Sequence, residues 1–527
     1  MDEAELLEEA AETAAPVRSD QRIIVGQTGQ NVLGLVIGAL ATFAAQVIMT
    51  NRLGDRSYGV VTVTTQFAFI AAAATRFGMD VANVRLVAIL AGKGELARAR
   101  GLVRRAVLIA TAVSVPFAIA TWMLSPWLAE SFTSDPDAAL NAFRAAAITV
   151  PFAALAFTYM GATRGLKIMR YTLYSQWIAQ PIGWIVFTLA LWTVVAATAA
   201  SASWAFGASW ALALAIAWYG WDRQQRKFPR EITGDGIPEE HTGALITFGA
   251  LRAPAALFSQ LIFWTDLFVF SYLMSGEGAS GASQVGIYSA VLRAGQSLFL
   301  FLTSISLTFS PFVADLHHRG ERDRLDALYK QVTRWTLAAT IPVLLVLAIV
   351  PGPVLHIFGA DFVEGEEALQ IMIVGMIVPV IVGTVGFILI MAGRTGWDLL
   401  VYLVAFAIGV GVALALARPD ALGMKGAAIA QAATLTFSAL ARLLLVRRFV
   451  RIWPFDRAFW RLIPPTIAGA AAMAIVHAVL PEAKWLVNLL GSALIGTAVY
   501  GAVLFAVGLP PNERALIARR LHLSRVA

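Results

Sequence analysis

Residues 241–274, HTGALITFGALRAPAALFSQLIFWTDLFVFSYLM, and residues 284–310, QVGIYSAVLRAGQSLFLFLTSISLTFS, are two neighbouring apolar stretches of membrane length, and both carry charge. The first holds Arg252 and Asp266 and the second holds Arg293. A centrally placed Arg or Asp disfavours insertion by roughly 2.5–3.5 kcal/mol, so charge at this depth needs a partner or water. Arg252 and Asp266 lie close to one helical face but about 21 Å apart along the axis, too far to pair. With the loop placed between 274 and 284, Asp266 and Arg293 reach similar depth, which predicts an ion pair or gate between them. Arg252, followed by helix-distorting Pro254, keeps no partner in its own hairpin and is the charge whose role is open.

Outward from this hairpin the same character holds. The 527 residues are 58% hydrophobic and 14% charged, with a mean hydropathy of +0.72. Soluble domains carry roughly 25% charged residues, so the chain reads as an all-α polytopic membrane protein. It has no Cys, and its 6 His show no ligand spacing, so neither a metal nor a cofactor is expected. Apolar runs near the ~20 residues needed to cross a bilayer number about fourteen. Basic residues crowd every second loop: 93–105, 164–170, 223–230, 319–334, 442–461 and 514–525. The positive-inside rule makes those loops cytoplasmic, with both termini on that side, and accounts for the net charge of +7 without nucleic acid as a partner.

An internal repeat organises the segments. Gly59 matches Gly286, Gly94-Glu95 matches Gly320-Glu321, Pro116 matches Pro342, Pro151 matches Pro379 and Arg164 matches Arg394, at offsets of 226 to 230. Six segments between copies give them one orientation, so two six-helix lobes in parallel pseudo-two-fold arrangement are expected, plus a C-terminal hairpin. The boundaries read as a flexible cytoplasmic tail (1–22), an N-terminal lobe (23–221), a cytoplasmic linker (222–242), a C-terminal lobe (243–450), the hairpin (451–509) and a cytoplasmic tail (510–527). Leu325, Leu328, Val332 and Trp335 predict an amphipathic interfacial helix.

The stretches NRLGDRSYGVVTVTTQFAF and FGMDVANVRLVAILAGKGELARARGLVRRA resemble the polysaccharide (O-antigen type) flippases of the multidrug/oligosaccharidyl-lipid/polysaccharide exporter superfamily. So do QVGIYSAVLRAGQSLFLFLTSISLTFSPFVADLHHRGERDRLDALYKQ, MAGRTGWDLL and ALGMKGAAIAQA, and together these span roughly residues 25 to 450. The resemblance implies two lobes around a cavity that alternates between membrane faces and moves polyprenyl-pyrophosphate-linked oligosaccharide outward, in the cell membrane. Such cargo needs cations in a wet cavity. Arg252 and Arg76 are the candidate cations, and Gln27, Gln30 and Asn31 the candidate polar lining, with Gln27 and Asn31 an i, i+4 pair. A proton or sodium ion is the candidate coupling ion.

Each candidate also has a structural reading: snorkelling for Arg252, a fold-locking pair for Asp266 and Arg293, an anchor with Asp80 and Arg85 for Arg76, and interhelical bonding for Gln27, Gln30 and Asn31. A drug or cation exporter of the same superfamily would use an unpaired intramembrane carboxylate, for which Asp266 is the candidate. A membrane glycosyltransferase or polymerase would need acidic groups in a sizeable outer loop, and the loop at 361–367 is short for that. A transporter without enzymatic activity is the expectation.

Overall fold

The computed structural model describes residues 3–228, 239–299, 302, 305, 309, 313, 316, 317, 319–480 and 484–508. For residues 3–33, 35, 239–242, 244, 248, 251 and 252 the backbone alone is described. All elements formed by the described residues are helices. Hydrocarbon offers backbone groups no partner, and a helix satisfies them within one segment. In chain order these are α1 (Glu3–Thr75), α2 (Met79–Gly92), α3 (Leu96–Met123), α4 (Ser125–Phe132), α5 (Pro136–Gly165), α6 (Arg170–Val194) and α7 (Ala199–Gln225). The second series is α8 (Glu239–Leu261), α9 (Thr265–Met274), α10 (Gly278–Gln296), α11 (Arg322–Ile349), α12 (Pro351–His356), α13 (Glu366–Val382), α14 (Val385–Met391), α15 (Thr395–Leu416) and α16 (Met424–Phe449). α17 (Ile463–Val479) and α18 (Trp485–Val503) close the described chain as a packed pair against α11.

The repeat seen in the sequence recurs in the geometry. α3 and α11 are both 28 residues long and carry Pro116 and Pro342 at the same position, and each is followed by a short helix, α4 or α12. Ahead of each, a glycine turns the chain at positive φ, Gly94 at 76° and Gly320 at 73°, where an L side chain would be strained. The residue after it ion-pairs three positions on, Glu95 with Arg98 at 2.8 Å and Glu321 with Arg324 at 3.1 Å.

Eleven described helices are long and apolar enough to cross a membrane, or twelve counting a bent pair, against the expected fourteen. Two of these stretches fold back on themselves. Within α1, Gly54 (φ 74°) breaks the helix, and the Tyr58 hydroxyl bonds Gln46 Oε1 at 2.8 Å. Twelve residues of straight helix would put their backbones ~18 Å apart, so the chain reverses there. The other reversal lies at 275–277, where α9 returns as α10 and Tyr288 bonds Asp266.

Three expectations change. Residues 1–22, read as a flexible tail, are helical from Glu3, because Ala, Glu and Leu rank among the strongest helix formers. The amphipathic helix is the first turns of the continuous α11: Leu325 and Tyr329 are buried and Leu328 and Val332 pack beside them, whereas Trp335 is exposed. The seventh segment divides at a 60° bend between 261 and 265. α8, on one side of the bend, packs on the first lobe, with Leu245 buried among Met79, Leu102 and Ala162 and Gly249 against the Phe77 carbonyl. α9 belongs to the second lobe, packing on α15 and α16. Residues 229–238 of the 222–242 linker and the tail 510–527 lie outside the described residues.

At the end expected to face outward the lobes lock together. Asn51 Nδ2 donates to the Ile357 carbonyl at 3.0 Å and Ser134 Oγ to the Met274 carbonyl at 2.6 Å, while Ser283 bonds Asp55 and Ser271 the Phe132 carbonyl. Gly59 and Gly286 pack backbone to backbone between them. Because the repeat makes these two glycines equivalent, their contact marks where the pseudo-two-fold axis passes.

Candidate functional site

Asp266 stands in the first turn of α9, just past the bend, and is 2% exposed. The helix N-terminus favours a carboxylate there. The tight turn at 275–277 brings Tyr288 of α10 level with it, and the Tyr288 hydroxyl donates to Asp266 Oδ2. With its amide nitrogen facing α9, Gln431 of α16 donates to Asp266 Oδ1 and to the Ile262 carbonyl, each at 3.2 Å. Asp266 is thus bound by neutral donors from two other helices.

The expected Asp266–Arg293 pair does not form. The helix begins at Gly278 rather than near 284, so Tyr288 takes the matching depth and Arg293 lies five residues beyond it, ~7.5 Å further along the axis. Arg293 instead stacks over the Trp264 ring at 4.7 Å, beside the Tyr58 hydroxyl of the first lobe. Its Nε has no hydrogen-bond partner, and no carboxylate among the described residues ion-pairs with it. Bend, carboxylate and interfacial cation therefore meet where α9 and α10 face α1.

Arg76, expected near substrate, ion-pairs with Asp80 at 3.4 Å and stacks on Phe157 at 4.6 Å, at the turn between α1 and α2. Arg164 approaches the same carboxylate. The side chains of Arg252, Gln27, Gln30 and Asn31 lie outside the described residues; their backbones run within α8 and α1.

One buried pair was not foreseen. Arg442, placed by its sequence neighbours in a basic loop, sits seven residues inside the end of α16, and its Nε bonds Asp398 Oδ1 of α15 at 2.7 Å. Side-chain exposure is 10% for Arg442 and 3% for Asp398. Its guanidinium also bonds Ser438 and lies 4.2 Å over the Tyr402 ring. The available signal was the helical spacing of Gln431, Ser438 and Arg442, which puts three polar groups on one stripe of the helix.

Comparison with known proteins agrees with this architecture. Residues 36–189 match the MatE family model. No curated protein matches the chain by sequence. Among solved structures, an inward-facing multidrug resistance MATE family transporter of the MOP superfamily aligns over 78% of this chain and 94% of its own, at 14% identity and TM-score 0.64. The lipid II flippase MurJ, in an inward closed conformation, aligns over 92% of this chain and 99% of its own, at 13% identity and TM-score 0.65. A MOP superfamily transporter from Pyrococcus furiosus aligns over 81% and 95%, at 15% identity and TM-score 0.61. The chain has the fold these transporters share.

Proposed function

We propose that the protein is a flippase that carries polyprenyl-pyrophosphate-linked oligosaccharide from the cytoplasmic to the outer leaflet of the cell membrane by alternating access. The observation that carries this reading is how far each likeness extends. The MATE transporter leaves 22% of this chain unmatched, room enough for the whole 451–509 hairpin, whereas the lipid II flippase leaves 8%. That is about 42 residues of 527, fewer than the hairpin contains. An alignment of that extent takes in at least part of the hairpin, which supports a likeness to the lipid II flippase over the whole chain. Twelve candidate spans with one further crossing for each reversal are consistent with fourteen passes, an even number that leaves both termini on one side, and the positive-inside pattern of the loops makes that side the cytoplasm in this reading.

The chemistry fits such a cargo. A pyrophosphate on a sugar cannot cross hydrocarbon unaided, and the planar fork of Arg suits its oxygens. Arg293, at the lobe interface and without a carboxylate, fills this role together with Arg252. Proteoliposomes bearing candidate lipid-linked oligosaccharides give the direct test. Wild-type protein is expected to flip them, Arg252→Lys to lose part of the rate, and Arg252→Gln or Arg293→Gln to lose most of it while still inserting. Full flipping by a well-folded Arg252→Gln variant would leave Arg252 structural and assign the phosphate to Arg293.

Orientation has its own check, since the chain has no native Cys. A Cys at exposed Lys227 should react with impermeant maleimide only from the cytoplasmic side, and one at exposed Asp137 only from outside. Reversed labelling removes the topology.

A second reading, a proton- or cation-coupled exporter, is favoured by Asp266, a buried carboxylate whose hydrogen-bond donors are neutral. Under either reading we assign Asp266 to coupling. The Asp266→Asn variant is isosteric and keeps one acceptor oxygen, with an NH2 donor in place of the other, and carries no titratable proton. It should flip substrate down its gradient and fail to accumulate it when a pH gradient is imposed. Undiminished pH-driven accumulation would exclude Asp266 from coupling. Loss of organic-cation efflux, in a protein that flips no lipid-linked sugar, would favour the exporter.

A further inference from the structure

A cavity of about 430 Å³ opens within the C-terminal lobe, between the end of α8, the start of α14, α15 and α16. Ligand sites for small molecules fall in this size range. Two of its wall groups are buried polar atoms with no hydrogen-bond partner: Arg442 Nη2 and Thr384 Oγ1. The residues are 8% and 2% exposed. Buried polar atoms normally find partners, so these two atoms at one wall leave hydrogen-bonding capacity free for a ligand. The backbone is shaped to match. α13 ends at Val382, Gly383 turns at φ 73°, and α14 starts at Val385, so a helix breaks where it borders the cavity, as non-helical backbone at membrane depth does when it lines a cavity.

The charges decide what kind of ligand fits. Asp398 already neutralises Arg442 from its Nε edge. An anion at Nη2 would add a second negative charge close to that carboxylate, where like charges repel strongly in a poorly solvated interior. A neutral hydroxyl has no such cost: it accepts from Nη2 and can exchange bonds with Thr384 and with Gln260 on the facing wall. Beside these polar groups, Phe263 and Phe299 stand edge to face with centroids 5.6 Å apart and give an apolar surface for the C–H face of a ring.

We propose that this cavity binds a neutral sugar ring, and that it reads one residue of the glycan while the pyrophosphate is held elsewhere, at the lobe interface. The link to a glycan rests on the flippase reading; the sugar site itself is tested without it. The probes are free glucose and N-acetylglucosamine, observed by saturation-transfer NMR on the full chain in lipid nanodiscs, with inorganic pyrophosphate as competitor. Ring protons of at least one sugar should receive saturation, and pyrophosphate should not displace it. Thr384→Val should weaken the binding by about tenfold, the worth of one good hydrogen bond, without lowering the melting temperature, because that hydroxyl has no protein partner to lose. Ala439→Phe, which fills the cavity from α16, should abolish it. Absence of saturation from both sugars overturns the proposal. So does displacement by pyrophosphate, or unchanged binding in both variants. Sugar binding with no flipping would remove the transport reading and keep the site; flipping that is unchanged in both variants, with no sugar bound, would remove the site alone.

Discussion

Arg442→Ala is expected to lower the unfolding free energy by about 3–5 kcal/mol, because it strands the Asp398 carboxylate in the interior of the C-terminal lobe. The pair is buried on both sides and supported by Ser438 and Tyr402, so removing the guanidinium leaves the carboxylate without its charged partner. Neutralising both partners, as Arg442→Met with Asp398→Asn, should recover most of the loss, since no charge then remains to be satisfied. SDS-induced unfolding in mixed micelles gives the comparison. A double-mutant cycle whose four corners add without coupling would show that the two residues act independently. The double variant also separates stability from ligand binding. It should fold, yet it has no guanidinium to offer a sugar hydroxyl.

The helical architecture and the repeat were legible because they rest on averages. Hydropathy over twenty residues tolerates an error of a few positions, and a repeat seen at five landmarks survives the loss of one. Side-chain partners do not tolerate such errors. A loop placed at 275–283 instead of 275–277 shifted the register of α10 by five or six residues, enough to give Asp266 the wrong partner. Arg442 was obscured for a related reason: Arg447, Arg448 and Arg451 follow it closely, and a run of basic residues reads as a loop although α16 continues to Phe449. Asp398 stands in the first turn of α15, four residues after Arg394, and carried no reading from the sequence. Both errors concern a helix boundary, the start of α10 and the end of α16, which composition locates poorly.

Gly286→Val is expected to keep the lobes from closing at the outer end. A Cβ at this position would lie 1.8 Å from the Asp55 carbonyl oxygen, a backbone atom that no rotamer change can move aside. Gly59 faces the same contact, with a Cβ 2.9 Å from the Gly286 nitrogen, so the two equivalent glycines permit the close approach together. Overpacking of this kind costs about 1–3 kcal/mol. Applied to the outward-closed state alone, that shifts the ratio of open to closed by roughly 5- to 150-fold. Electron-electron resonance distances between spin labels at Asp137 and Gly276, across the outer ends of the lobes, should lengthen, and flipping should fall at least tenfold with expression preserved. Ser283→Ala, which removes only the hydrogen bond to Asp55 at the same seam, should change the distances little, as single surface-side substitutions stay within about 0.5 kcal/mol. Unaltered distances in Gly286→Val would mean that the lobes do not separate along the axis marked by the two glycines, and the alternating movement would have to pivot elsewhere, with the bend between α8 and α9 as the remaining joint.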